Sequence, residues 1–282
     1  MTVFRRILLG LLLLLLLAYG GVSAYVYAKQ GQIVYLPTRT LDKTPDDYGI
    51  FFEEKKLSVK RADGQTEKIT SWWMRSAKPN GTSLLFLHGN ARNMAANLGK
   101  MSALVQGGFN VLAIDYRGYG TSDGERPYEA ALYEDAGAAL DELKRREPDS
   151  KRRVIHGHSM GGAIAVDLAV RRPEAAGVIV ESSFESMYGM STIKAAYRLL
   201  PIDLILTERF DSLGKIPNLK LPVLFIHGTT DPLVPSRMSE RLYAATPGGN
   251  KHLLLIDKGI HSNLHSFAQY MPALREFARV PN

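Results

Sequence analysis

The stretch RVIHGHSMGGAIAVDLA, residues 153–169, decides how this chain is read. It opens as a short apolar run suited to a buried strand and closes as an apolar run of helical character. Between them stand Gly157, His158, Ser159, Met160 and Gly161, a G-x-S-x-G pentad. A turn this sharp tolerates little beyond glycine two residues before and two after the serine. It lifts the serine hydroxyl clear of the sheet at the start of a helix. The spacings of dinucleotide and phosphate loops, G-x-G-x-x-G and G-x-x-x-x-G-K-[ST], are both missing. Ser159 therefore reads as a nucleophile and not as a plain turn serine.

Working outward, the same strand pattern recurs in SLLFLHG (83–89), NVLAIDY (110–116), GVIVESS (177–183), PVLFIHG (222–228) and HLLLID (252–257). Continuous apolar runs of this length fit strands buried on both faces. Helical patterns fall at 92–106, 127–147, 160–172, 236–246 and 264–279. Alternating strands and helices predict an α/β fold with a mostly parallel sheet and helices on both faces. Upstream, 50–60 and 66–75 read as a hairpin about Asp63-Gly64, with Trp72 and Trp73 in its second strand. One connection is unusual. Residues 184–221 are too long for a plain loop and too apolar for a linker, so they are expected to form a helical cap over one end of the sheet. The catalytic domain is expected to span 50–282.

A serine hydroxyl needs a base, and the base needs an orienting acid. After a nucleophile elbow the expected chain order is Ser, then Asp or Glu, then His. Two histidines lie past the last strand pattern. His261, in DKGIHSN, is expected in a loop, from which an imidazole can reach across the strand ends. His265 is expected at or inside the final helix. His261 is the preferred base. Asp231, in HGTTDPLVP, follows a strand and precedes Pro232, and is the preferred acid; Asp257 and Glu181 are its rivals. The oxyanion donors are expected to be the backbone N–H of Met160 and that of Asn90, in the turn after LLFLHG. His88, His156, His158 and His227 read as structural, and Asp115 and Arg117 as a loop brace. No cluster has a convincing metal spacing, so neither metal nor cofactor is expected.

Composition narrows the field further. The 282 residues carry a net charge of +7, 45% hydrophobic residues and no cysteine. Disulfides, thiolate catalysis and cysteine-held metals are excluded. The basic cluster Lys144, Arg145, Arg146, Lys151, Arg152 and Arg153 reads as a solvated helix end and strand start, with no nucleic-acid partner expected. At the N-terminus, Arg5 and Arg6 precede an uncharged run over 7–28 that includes unbroken leucine over 11–17. As a helix it would be roughly 33 Å long, enough for a hydrocarbon core of about 30 Å. It is read as a signal anchor over 1–28, in preference to a signal peptide cut near Val22-Ser23-Ala24, because Tyr25 and Tyr27 suit an interface. Residues 29–49 read as a tether. The basic N-tail favours a catalytic part on the non-cytoplasmic side.

The ordered set LFLHGN, DYRGYGTSDG, GHSMGG, ESSF, FIHGTTDPLVP and GIHSN resembles the α/β-hydrolase superfamily over roughly 50–280. With the apolar leader it looks most like the membrane-anchored branch, which includes bacterial inner-membrane hydrolases and eukaryotic lipases and depalmitoylases. The resemblance implies an eight-stranded sheet and a Ser-Asp-His triad carried on Ser159, Asp231 and His261. With the apolar cap and the anchor, the chain is read as a serine hydrolase that cleaves an ester or thioester of an acyl or lipid-like substrate, at a bacterial inner membrane facing the periplasm. A serine peptidase acting on amides, and an inert membrane-tethered binding module, are the alternatives. Arg92 departs from the pattern: HGNARN stands where the family often has HGNAGN.

Overall fold

The computed structural model describes residues 3–61, 63–193 and 195–278. Eight strands form one sheet: β1 (Phe52–Lys60), β2 (Thr66–Met74), β3 (Ser83–Leu87), β4 (Asn110–Asp115), β5 (Arg153–His158), β6 (Gly177–Glu181), β7 (Val223–Gly228) and β8 (Lys251–Ile256). Their order across the sheet is β1-β2-β4-β3-β5-β6-β7-β8. The β1–β2 and β2–β4 pairs are antiparallel, and the remaining pairs are parallel. This is the α/β-hydrolase architecture expected from the sequence.

The helices, in chain order, are α1 (Val3–Val34), α2 (Leu98–Gln106), α3 (Glu129–Arg146), α4 (Met160–Arg171), α5 (Met187–Ser191), α6 (Ile202–Ile205), α7 (Ser212–Lys215), α8 (Arg237–Ala245) and α9 (Tyr270–Ala278). The central strands β3, β5 and β6 are buried along their whole length. That is why their sequences run apolar without alternation. Leu85, Ile155 and Val180 face the layer that holds α3, α4 and α8. Leu84, Phe86, Val154 and Ile179 face α2 and α9. Each such apolar side chain contributes about 1.5–3 kcal/mol on burial.

Several boundaries differ from those expected. The first helix continues past residue 28 to Val34 before the chain reaches Pro37. Residues 35–49 do not hang free: Leu36 and Pro37 pair in parallel with Ala91 and Arg92, and Tyr35 and Ile50 are buried. That pairing delays the next helix, which starts at Leu98 and not at residue 92. The segment 184–221 is broken into short helices, with Pro201 and Pro217 preventing a single long one. Arg153, expected in solvent, is buried. Its guanidinium donates to the carbonyls of Glu147, Pro148 and Glu174 at 2.7–3.1 Å. Lys144 pairs with Glu174, and Arg145 and Arg146 with Glu142, so much of this basic cluster is neutralised within the chain.

Candidate active site

The register aligns the carboxyl ends of the parallel strands, with Leu87 opposite Gly157, His158 opposite Glu181, and Ile256 opposite Gly228. Loops leaving these ends carry Asn90, Ser159, Asp231 and His261. Open α/β sheets place ligands at this rim.

Ser159 links β5 to α4 with φ 56° and ψ −122°. A side chain in that region costs on the order of 1–3 kcal/mol, so the surroundings must hold it there. They do so through three bonds. The Ser159 amide donates to the Glu181 carbonyl at 2.8 Å. The Ser159 carbonyl accepts from the Gly162 amide at 2.9 Å and from the Ser183 hydroxyl at 2.8 Å. The pentad glycines are dictated by space. A methyl group on Gly157 would overlap the Gly161 carbonyl, and one on Gly161 would overlap the Leu87 carbonyl.

The turn after β3 abuts the serine. A methyl on Gly89 would stand 3.2 Å from Ser159 Cβ. The amide of Asn90, the next residue, donates to nothing among the described residues. Met160 begins α4, so its amide has no intrahelical acceptor either. The amides of Asn90, in the turn that abuts Ser159, and of Met160, which follows it, are thus both uncommitted among the described residues. The rest of Asn90 is committed: its side-chain Nδ2 donates to the Val34 carbonyl at 2.8 Å, and its carbonyl accepts from the Tyr119 hydroxyl at 2.9 Å.

Asp231 and His261 come together. His261 Nδ1 lies 2.8 Å from Asp231 Oδ2, and the carboxylate side chain is wholly buried. Asp231 Oδ1 accepts from the amides of Leu233 at 2.9 Å and Val234 at 3.0 Å. Burial works against the Asp231 charge. The hydrogen bonds from His227, His261 and the Val234 amide outweigh it and hold the carboxyl far below the usual range. His261 and Ser159 both line a cavity of about 470 Å³, whose walls also include Met160 and Asn90. The segment 184–221 supplies Phe184, Met187, Met190 and Ile202 to the same cavity, and α1 supplies Val26, Gln30, Ile33 and Val34.

The rival acids lie elsewhere. Glu181 is buried under the serine turn with Lys100, His156 at 2.9 Å and the Tyr270 hydroxyl at 2.7 Å. Its burial opposes ionisation, but Lys100 and His156 keep its pKa well below the ordinary carboxylate value. Asp257 is exposed and accepts from the Thr229 hydroxyl. His265 does not line the cavity. Asp115 accepts from the Met94 amide at 2.6 Å and braces His88, while Arg117 binds Asp135 at 2.7 Å. Arg92, at the position where the family often has glycine, has φ 64° and pairs with Asp42. The glycine preference there thus has a backbone cause.

Two histidines read as structural touch the site directly. His227 Nε2 stands 3.3 Å from Asp231 Oδ2. His158 Nε2 donates to the His261 carbonyl at 2.9 Å, and the two rings are 5.0 Å apart. Burial and then Lys100 push the His158 pKa well below its ordinary value, so the ring is neutral and its proton sits on Nε2. The available signals were the i, i+4 spacing of His227 and Asp231 and the place of His158 inside the pentad. A larger cavity of about 550 Å³, lined by Arg39, Arg61, Glu67, Arg117 and Arg126, touches none of these residues. Arg61 and Arg117 there already pair with Glu67.

Comparison with known proteins assigns a family to this geometry. A family model described as serine aminopeptidase, S33, matches residues 78–202 and 206–266. An uncharacterized protein of Mycobacterium tuberculosis is 32% identical over 243 residues, which is 85% of this chain and 83% of that one. The alpha/beta hydrolase domain-containing protein WAV2 of Arabidopsis thaliana is 26% identical over 297 residues, covering 92% of this chain and 95% of its own. Among solved structures, an esterase of Pyrococcus furiosus superposes with a TM-score of 0.68 at 22% identity, covering 86% of this chain and 97% of that one.

Proposed function

The chain belongs to the serine aminopeptidase S33 family of α/β-hydrolases, and on that premise we propose that it is a membrane-anchored serine hydrolase of carboxylic esters or thioesters of acyl substrates. One observation carries this reading: the buried Asp231 carboxylate holds His261 Nδ1 at 2.8 Å at the cavity that also contains Ser159. With Nδ1–H fixed on Asp231, Nε2 of His261 is left free to accept a proton. Ser159 Oγ attacks the acyl carbonyl and passes its proton to His261 Nε2. The amides of Met160 and Asn90 stabilise the oxyanion. The intermediate collapses with cleavage of the acyl–oxygen or acyl–sulfur bond, and His261 returns the proton to the departing alcohol or thiol. Water, deprotonated by His261, then attacks the acyl-serine; the acyl–Oγ bond breaks, the carboxylic acid leaves, and His261 returns the proton to Ser159 Oγ.

The residues of α1 and of 184–221 along the cavity are mostly aliphatic, aromatic or methionine, which suits an acyl chain. The exposed leucines of α1 and the basic Arg5 and Arg6 before them support an anchor over 1–28 with the 50–282 domain on the non-cytoplasmic side. Residues 29–49 join the two, their first part as the continuation of α1 to Val34, and 184–221 serve as the cap.

The family's description favours a second reading, amide cleavage at an N-terminal residue. That activity needs a carboxylate to hold the α-ammonium group, and the described residues lining the cavity include no Asp or Glu. Matched p-nitrophenyl esters and aminoacyl p-nitroanilides separate the two readings. We expect ester turnover that disappears in Ser159→Ala and little anilide turnover. The reverse preference would overturn the ester reading.

A further inference from the structure

The apolar N-terminal helix is long enough to do more than cross a bilayer. Its uncharged run occupies residues 7–28, yet the helix continues to Val34. A span of roughly 33 Å uses up the run, which sets Val26 at the membrane boundary and the last turns of α1 beyond it. Those last turns are built into the domain. Gln30 is buried, and its side-chain amide is fully used: Nε2 donates to the carbonyls of Tyr27 at 2.9 Å and Ile205 at 3.0 Å, and Oε1 accepts from the amides of Thr207 at 2.8 Å and Glu208 at 3.3 Å. The Val34 carbonyl accepts from Asn90 Nδ2, and the Tyr35 hydroxyl donates to Glu208. A buried amide bonded on every side fixes one arrangement of the two segments it joins.

Docked in this way, α1 presents Val26, Gln30, Ile33 and Val34 to the cavity that contains Ser159. The facing wall is Met187, Met190, Ile202 and Leu206. Around these residues Tyr188, Leu199 and Leu204 are left exposed, the last at 85%. An apolar rim beside a membrane-inserted helix is suited to meet lipid rather than water.

We propose that the last turns of α1 form one wall of the acyl-chain site, and that the chain of a membrane amphiphile enters from the bilayer between α1 and the 184–221 segment. The inference rests on the serine-hydrolase reading and adds to it a substrate source and the residues that set chain length. The anchor is then a specificity element as well as a tether.

The test uses the full-length protein in lipid nanodiscs, with p-nitrophenyl butyrate and p-nitrophenyl laurate as probes. Each methylene buried is worth about fourfold in binding, so bulk placed in the wall acts on the long ester first. In Val26→Trp and Ile33→Trp the laurate-to-butyrate ratio of kcat/KM is expected to fall about tenfold or more. In Ile33→Ala, which removes bulk and cannot clash, the ratio is expected to rise. In Leu14→Trp, placed within the membrane run, it stays at the wild-type value. An unchanged ratio in the wall variants, with activity still dependent on Ser159, would overturn the inference and leave the hydrolase reading intact. Wild-type protein that cleaves neither ester would overturn both.

Discussion

Asp231 holds more than one partner. Oδ2 faces His261 and His227, while Oδ1 caps the turn through the amides of Leu233 and Val234. Replacing it with asparagine separates these duties, because an amide oxygen can keep the turn while the amide nitrogen cannot accept from His261. In Asp231→Asn, steady-state kinetics on a short ester are therefore expected to show kcat lowered on the order of 10⁴-fold with KM little changed. A loss of less than tenfold would show that His261 is oriented by something else. At this scale much of the candidate site's spatial arrangement was legible in sequence. Ser159 was readable because its glycines are a local steric demand, and Asp231 and His261 because each follows a strand end in chain order. The roles of His158 and His227 were not, since what each imidazole meets depends on loops that the sheet brings together. His158 reaches His261 across about a hundred residues of chain.

At the scale of elements, Glu142 shows how the sheet edge is fastened. It lies on α3 with its side chain buried and receives Lys55 of β1 at 2.9 Å, together with Arg145 and Arg146 from its own helix. Burial opposes its charge, but these three cations win and bring its pKa from 4.5 down to about 2. A carboxyl whose folded pKa is depressed stabilises the fold above its unfolded pKa, and that contribution is lost as pH falls from about 4.5 towards about 2. Glu142→Gln is thus expected to melt below the wild type at neutral pH, with the gap closing across the acid range. A gap independent of pH would mean that Glu142 acts through packing alone. The strands were readable from apolar runs, and so was the excess length of 184–221. The late start of α2 was not, because the pairing of residues 36–37 with 91–92 is a contact between distant segments. Nor was the burial of Arg153, whose acceptors are main-chain carbonyls that only the folded turn supplies.

The whole molecule joins a helix long and apolar enough to cross a membrane to a hydrolase domain through polar contacts at Gln30, Val34 and Tyr35. Composition alone revealed the helix but not its docking, since Gln30 reads as an ordinary polar residue past an apolar run. The strained Ser159 backbone, the amides of Met160 and Asn90, uncommitted among the described residues, and the His261–Asp231 pair are the observations behind the proposed activated serine. The direct measurement is fluorophosphonate labelling of the full-length protein, with the modified peptide identified by mass spectrometry, beside Ser159→Ala and His261→Ala. One adduct is expected, on Ser159, absent from Ser159→Ala and slowed by orders of magnitude in His261→Ala. An unlabelled wild type, or label on another residue, would contradict it and return the protein to the reading of a membrane-tethered binding module.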